Sequence, residues 1–124
     1  MSTILFVDDH HAFRTVFAEI LRTAGHTVFE AGTAAEAERV LERNSGPVDL
    51  LLVEAVLTTA NGLAIFRRIQ PWRPEICVLF VSKQSAEELT KEGLLPHGAH
   101  FMQKPLIAEQ LTATLRNLLE TKSG

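Results

Sequence analysis

The chain has 124 residues, 46% hydrophobic and 22% charged, with a net charge of −3. That length supports one domain, spanning 1–124, around one core, and the charge balance leaves no basic footprint for nucleic acid or an anionic membrane. The opening MSTILFVDDHH lacks the basic segment of a signal peptide, no apolar run reaches the ~20 residues of a membrane span, and a single cysteine, Cys77, excludes an internal disulfide; a cytoplasmic, reducing location is expected.

Ile4-Leu5-Phe6-Val7 is a short apolar run ending on Asp8-Asp9 and reads as a first strand. Phe13, Val16, Phe17, Ile20 and Leu21 recur at helical spacing, and Gly25 stops that helix. Thr27–Ala31 is a strand of mixed polarity, suited to an edge. Thr33 with Glu36 forms a capping box for a helix with Ala37, Val40 and Leu41 inside, and Asn44-Ser45-Gly46-Pro47 breaks it. Leu50–Val53 is a continuous apolar run, as in a strand buried on both faces, and it ends on Glu54. After Gly62 a short amphipathic helix carries Leu63, Ile65, Phe66 and Ile69; Pro71 and Pro74 bracket a turn with Trp72. Ile76–Val81 is another buried strand, ending on Ser82-Lys83. Ser85 with Glu88 opens a poor helix, interrupted by Gly93 and ended by Pro96. Gly98–Met102 is a last strand before Gln103-Lys104-Pro105, and the final helix turns Ile107, Leu111, Leu115 and Leu118 inward.

Strand and helix alternate five times, so the sheet is expected to be parallel with right-handed crossovers and helices on both faces. Ligands in such sheets collect at the carboxyl ends of the strands. There the chain offers Asp8 and Asp9 from strand one, Glu54 from strand three, Ser82 and Lys83 from strand four and Lys104 from strand five. Three carboxylates in one crevice resist ionising together unless a cation offsets them. Either a hard divalent ion, which takes oxygen ligands, or a lysine can do so.

FVDDH at strand one, DLLLVE with a glycine eight positions on, VLFVSK at strand four and GAHFMQKPL at the end occur in this order. Together they make the chain resemble the receiver domain of two-component response regulators over nearly its whole length. The resemblance implies an α/β, flavodoxin-like (βα)5 doubly wound parallel five-stranded sheet with strand order 2-1-3-4-5, in a phosphorelay signalling module that is not an enzyme. It implies that Glu54 stands at the phosphoacceptor position, facing a histidine kinase. Asp8, Asp9, Glu54 and the backbone carbonyl of Val56 would surround Mg2+, with Asp9 the direct ligand of the acidic pair. Ser82 and Lys104 would bind the phosphoryl oxygens, and Phe101 would stand at the aromatic switch position. Output would pass to a kinase or a downstream signalling protein through the fourth helix, fifth strand and fifth helix. The chain stops just past that helix, as expected of a stand-alone module or of a receiver cut from a longer protein.

Four departures from the family pattern bear on that chemistry. The family acceptor is Asp, and Glu54 reaches roughly 1.5 Å further, one C–C bond, a misplacement costly to in-line phosphoryl transfer, which leaves phosphorylation of Glu54 chemically possible but geometrically disfavoured. Lys83 replaces a small residue, so its ammonium is placed to pair with Glu54 and occlude the site. Thr58 replaces a proline, so the loop is expected to be less fixed. The segment between Gly98-Ala99 and Phe101 is one residue shorter than usual. The expectation is a receiver that works without phosphorylation and binds magnesium weakly or not at all. Glu54 either mimics the phosphorylated acid, holding the output face active, or marks a degenerate receiver that acts only by binding proteins.

Plainer roles stand beside these. Asp8-Asp9 can serve a helix start, Ser82 can cap the next helix, Lys83 can be a surface lysine and Phe101 a core residue. Adjacent His10-His11 point in different directions and suit a solvated pair. A haloacid-dehalogenase-like phosphatase shares the strand-one Asp, strand-four Ser and Lys. It also needs an Asp-x-Asp pattern and a later acidic pair, where this chain has adjacent Asp8-Asp9 and Gln103-Lys104-Pro105. A flavodoxin-like FMN site would want a Gly/Ser/Thr-rich loop where Asp8–His11 stand.

Overall fold

Apolar runs at 4–7, 50–53 and 76–81 form the centre of a sheet because each is buried on both faces. In the computed structural model, which describes residues 2–123 with side chains through residue 120, the elements run β1 (Thr3–Val7), α1 (His11–Thr23), β2 (Thr27–Ala31), α2 (Ala34–Arg43), β3 (Leu50–Glu54), α3 (Gly62–Ile69), β4 (Cys77–Ser82), α4 (Ala86–Lys91), β5 (Phe101–Gln103) and α5 (Ala108–Ser123). All strand pairs are parallel and the order is β2-β1-β3-β4-β5. This is the flavodoxin-like arrangement, with the mixed-polarity β2 at one edge.

The period of two along each strand divides the core between the faces. Leu5, Val7, Leu51, Val53 and Phe80 pack with α2, α3 and α4 through Leu41, Ile65, Ile69 and Leu89. Ile4, Phe6, Leu50, Leu52, Leu79 and Val81 pack with α1 and α5 through Leu21, Leu111 and Leu115. Half-buried Cys77 is a free thiol on this second face.

Side-chain caps set three of the helix starts: Thr33, Asn61 and Ser85 accept from the backbone N–H of Glu36, Ala64 and Glu88 at 3.1, 2.8 and 3.1 Å. Ser85 Oγ also donates to Glu88 Oε1 at 3.2 Å. Gly25 leaves α1 at φ +102°, a conformation that needs glycine. Several sequence expectations shift. Gly93, at φ +74°, ends α4 rather than interrupting it, so that helix is only six residues long. β5 starts at Phe101, because Gly98 turns at φ +80° and cannot continue an extended strand. Ile107 precedes the first turn of α5 and is 57% exposed instead of core, while Leu119 is buried with Leu111 and Leu115.

Gly62 ties α3 to the site. A Cβ there would lie 2.6 Å from the backbone oxygen of Glu54 and 3.2 Å from Ala55 Cα, so α3 starts directly against the end of β3. Gly62→Ala is expected to lower unfolding stability by about 1–3 kcal/mol, the usual cost of overpacking. Gly46→Ala, where a Cβ meets nothing within 4 Å, should change it little; urea titrations of both variants check the contrast.

Candidate functional site

The sheet brings Asp8, Glu54, Ser82 and Lys104 to one edge because each stands at or just past the end of its strand. Strand parity then decides which of them meet. Phe6, Leu52 and Met102 all face α1 and α5, so the residues two positions on, Asp8, Glu54 and Lys104, share that side. Lys104 Nζ lies 2.9 Å from Asp8 Oδ2 and 2.8 Å from Glu54 Oε1. Its third neighbour is the Phe13 ring, 4.1 Å from Nζ to the centroid, within cation–π range. Asp8 is fully buried, and Glu54 is 6% exposed.

The remaining carboxylate oxygens are also occupied. Asp8 Oδ1 accepts the His10 N–H at 2.9 Å. Glu54 Oε2 accepts the Val56 N–H at 3.0 Å. Val56 forms an antiparallel bridge with Asn61, flanked by Leu57 N–H to Ala60 O at 3.0 Å and Gly62 N–H to Ala55 O at 2.9 Å. This is the pair type that turns the N–H of Val56 away from Asn61, leaving it to meet Glu54 Oε2. Burial alone would lower the Lys104 pKa, but hydrogen bonds to Glu54 and Asp8 and the charges of both hold it above its ordinary 10.5.

Asp9 goes elsewhere. Its Oδ2 accepts both the backbone N–H and the Oγ1–H of Thr58, each at 2.6 Å. Partial burial would raise its pKa, but the two Thr58 hydrogen bonds, its own backbone and the Lys104 charge outweigh that and hold it below 3.8. The Thr58 loop is thus pinned across the site rather than loosened, by a backbone donor that a proline lacks. Neither acid caps α1, whose N-cap His10 makes no side-chain bond.

Ser82 is buried, and its Oγ accepts the Gln84 N–H at 3.3 Å; among the described residues it makes no bond to Glu54. Lys83 does not pair with Glu54. It follows Val81 in parity onto the same side as Glu54, but it is exposed, its carbonyl accepts from Gln103 Nε2 at 3.0 Å, and Lys104 already holds the carboxylate. Phe101 is half-buried against the α2–α4 face. Phe13 is the site residue that sequence reasoning passed over, and Thr58 was expected to loosen its loop rather than to bond Asp9. Phe13 hides among helical core spacings; the hydroxyl of Thr58 was the available signal.

The resemblance implies a divalent ion at this edge. Among the described residues no group of three or more His, Cys, Asp or Glu is placed to hold a metal. A lysine separates Asp8 from Glu54, and Thr58 holds Asp9, so these side chains as arranged do not fit one.

The response regulator receiver domain family model matches residues 4–116. The chain belongs to that family. This receiver domain is 31% identical over 121 residues to the sensor kinase CckA of Brucella abortus, covering 96% of this chain and 13% of that protein. It is 32% identical over 117 residues to the transcriptional regulatory protein ZraR of Escherichia coli O157:H7, covering 94% and 26%. Among solved structures, the receiver domain of the hybrid histidine kinase CckA superposes with a TM-score of 0.80 at 28% identity, covering 95% of this chain and 99% of that one. NtrX from Brucella abortus superposes at 0.85 and 29% identity, covering 98% and 28%. The receiver domain thus spans about a quarter or less of the curated relatives named here.

Lys104→Met would leave Asp8 and Glu54 buried together without their cation. It is expected to cost about 3–5 kcal/mol of unfolding stability at neutral pH, with part of the loss recovered by adding Glu54→Gln. Because the folded-state pKa of Lys104 is raised, its stabilisation is fully present below 10.5 and lost only as pH rises through the higher folded value. Asp9 has the opposite sign: its lowered pKa contributes stability above 3.8 that is lost as pH falls through the folded value. The stability gap between wild type and Thr58→Val should therefore be level at higher pH and shrink below 3.8, as acid-limb denaturation curves will show.

Proposed function

We propose that this receiver domain signals without phosphorylation, with Glu54 at the phosphoacceptor position holding a fixed charge on Lys104. The observation that carries the reading is that both Glu54 oxygens are engaged, one by Lys104 Nζ at 2.8 Å and one by the Val56 N–H at 3.0 Å. Phosphoryl transfer depends on placing a nucleophilic oxygen in line with the donor and on free positive charge to receive the transferred group. Here the longer side chain carries its oxygen onto the ammonium, and the same ammonium also serves Asp8.

In this proposal Ser82 and Lys104 keep the positions of phosphoryl-oxygen ligands without that task, and magnesium binds weakly or not at all because Asp9 is engaged by Thr58. The domain acts by binding a histidine kinase or a downstream signalling protein. The α4–β5–α5 face is the proposed contact surface, supported by the brevity of α4 and β5, six and three residues, which makes that face easy to remodel. A cytoplasmic setting fits such a partner. No helix among the described residues is long and apolar enough to cross a membrane.

Magnesium with beryllofluoride, followed by amide NMR shifts, tests the reading. Wild type should show no saturable response at the β1, β3 and β4 ends. Glu54→Asp should gain one, and Glu54→Asp combined with Thr58→Pro should respond at lower magnesium, since Asp9 is then released. Saturable beryllofluoride binding by wild type would overturn phosphorylation independence.

A further inference from the structure

On the α1 side of Lys104 lies a cavity of ≈ 370 Å³ that the receiver reading does not use. Its apolar wall is Phe13 and Phe17 from α1 with Pro105 and Leu106 from the β5–α5 connection, and its polar residues are His10, Lys83 and Lys104. The two phenylalanine rings stand 4.8 Å apart, tilted by 35°. The volume falls within the usual range for small-molecule sites, and an apolar lining with a few polar groups is their usual make-up.

The charge of the lining is one-sided. None of its residues is acidic, although the whole chain carries −3. Lys104 is committed to Asp8 and Glu54. Lys83 is exposed, and among the described residues its ammonium has neither an ion-pair nor a hydrogen-bond partner. Parity puts it on the same side of the sheet as Glu54, but Lys104 holds that carboxylate and Lys83 stays at the surface. A free cation therefore stands beside an aromatic-walled slot.

We propose that this cavity binds a small amphiphilic anion: a flat aromatic ring system against Phe13 and Phe17, with one carboxylate or sulfonate paired to Lys83. A ring system gains from edge or offset contacts with the two phenyl rings, and the lone ammonium fixes its orientation. The site does not depend on whether Glu54 can be phosphorylated. Phe13 also touches Lys104, so an occupant shares a wall with the Asp8–Lys104–Glu54 bridge.

The test uses 2-naphthoate and its neutral counterpart 2-naphthamide, titrated into the whole nitrogen-15-labelled chain. The expected result is saturable naphthoate shifts centred on the amides of residues 10–17, 83, 84, 104 and 106. The amide should bind about fivefold more weakly, as one exposed charge pair implies. Lys83→Glu should weaken naphthoate by about the same factor or more, and Lys83→Gln should bind both probes equally. Shifts that fail to saturate by about 5 mM, a saturable site centred elsewhere, or equal naphthoate affinity in wild type and Lys83→Glu would each overturn the proposal.

Discussion

One ammonium between two buried carboxylates is the constraint on which the functional edge depends. Asp8 and Glu54 follow directly on Val7 and Val53, which are register partners in neighbouring strands. The fold therefore delivers two negative charges side by side into a dry place. Burying one carboxylate costs several kcal/mol, and burying two together costs more. Lys104 offsets both at once, and the remaining oxygens are satisfied by the N–H groups of His10 and Val56. The bridge also ties the ends of β1 and β3 to the chain just past β5, across the width of the sheet.

Glu54 makes that bridge in the same pattern as Asp8: one carboxylate oxygen meets Lys104, and the other turns back onto the backbone N–H two residues on, Val56 for Glu54 and His10 for Asp8. The side chain thereby closes a small ring with its own backbone, and the Val56–Asn61 bridge and the close approach of Gly62 hold that backbone in place. The third acid then has no share in the lysine's short contacts. Asp9, of opposite parity to Asp8, finds two donors on Thr58 instead. The edge balances its charges from within the chain.

Parity puts both lysines on one side of the sheet, and depth separates them. Lys104 follows Met102 onto the α1 and α5 side and reaches inward to the acids. Lys83 follows Val81 onto the same side but stays at the surface, next to the aromatic wall of α1. Phe13 stands between the two environments. It packs edge-on against core Phe6 at 6.1 Å, presents its face to Lys104, and lines the neighbouring cavity with Phe17.

Much of this was legible in the chain itself. The runs at 4–7, 50–53 and 76–81 have the continuous apolar character that only a two-sided strand needs, and the helical spacings between them require crossovers. The parallel sheet, its helices on both faces and the crowd of acids at its carboxyl edge follow from that local physics. The caps at Thr33 and Ser85 are local too, set by residues three apart. Which groups pair across the edge was not legible, because it depends on distances between residues far apart in sequence. Lys83 and Lys104 are chemically alike and face the same side of the sheet, and only the packed structure decides that Lys104 reaches inward to Asp8 and Glu54 while Lys83 stays exposed. The same holds for Thr58, 49 positions from Asp9. Local sequence sets periodicity, burial and turns, whereas charge pairing is decided by ångström-scale proximity that exists only once the strands are in register.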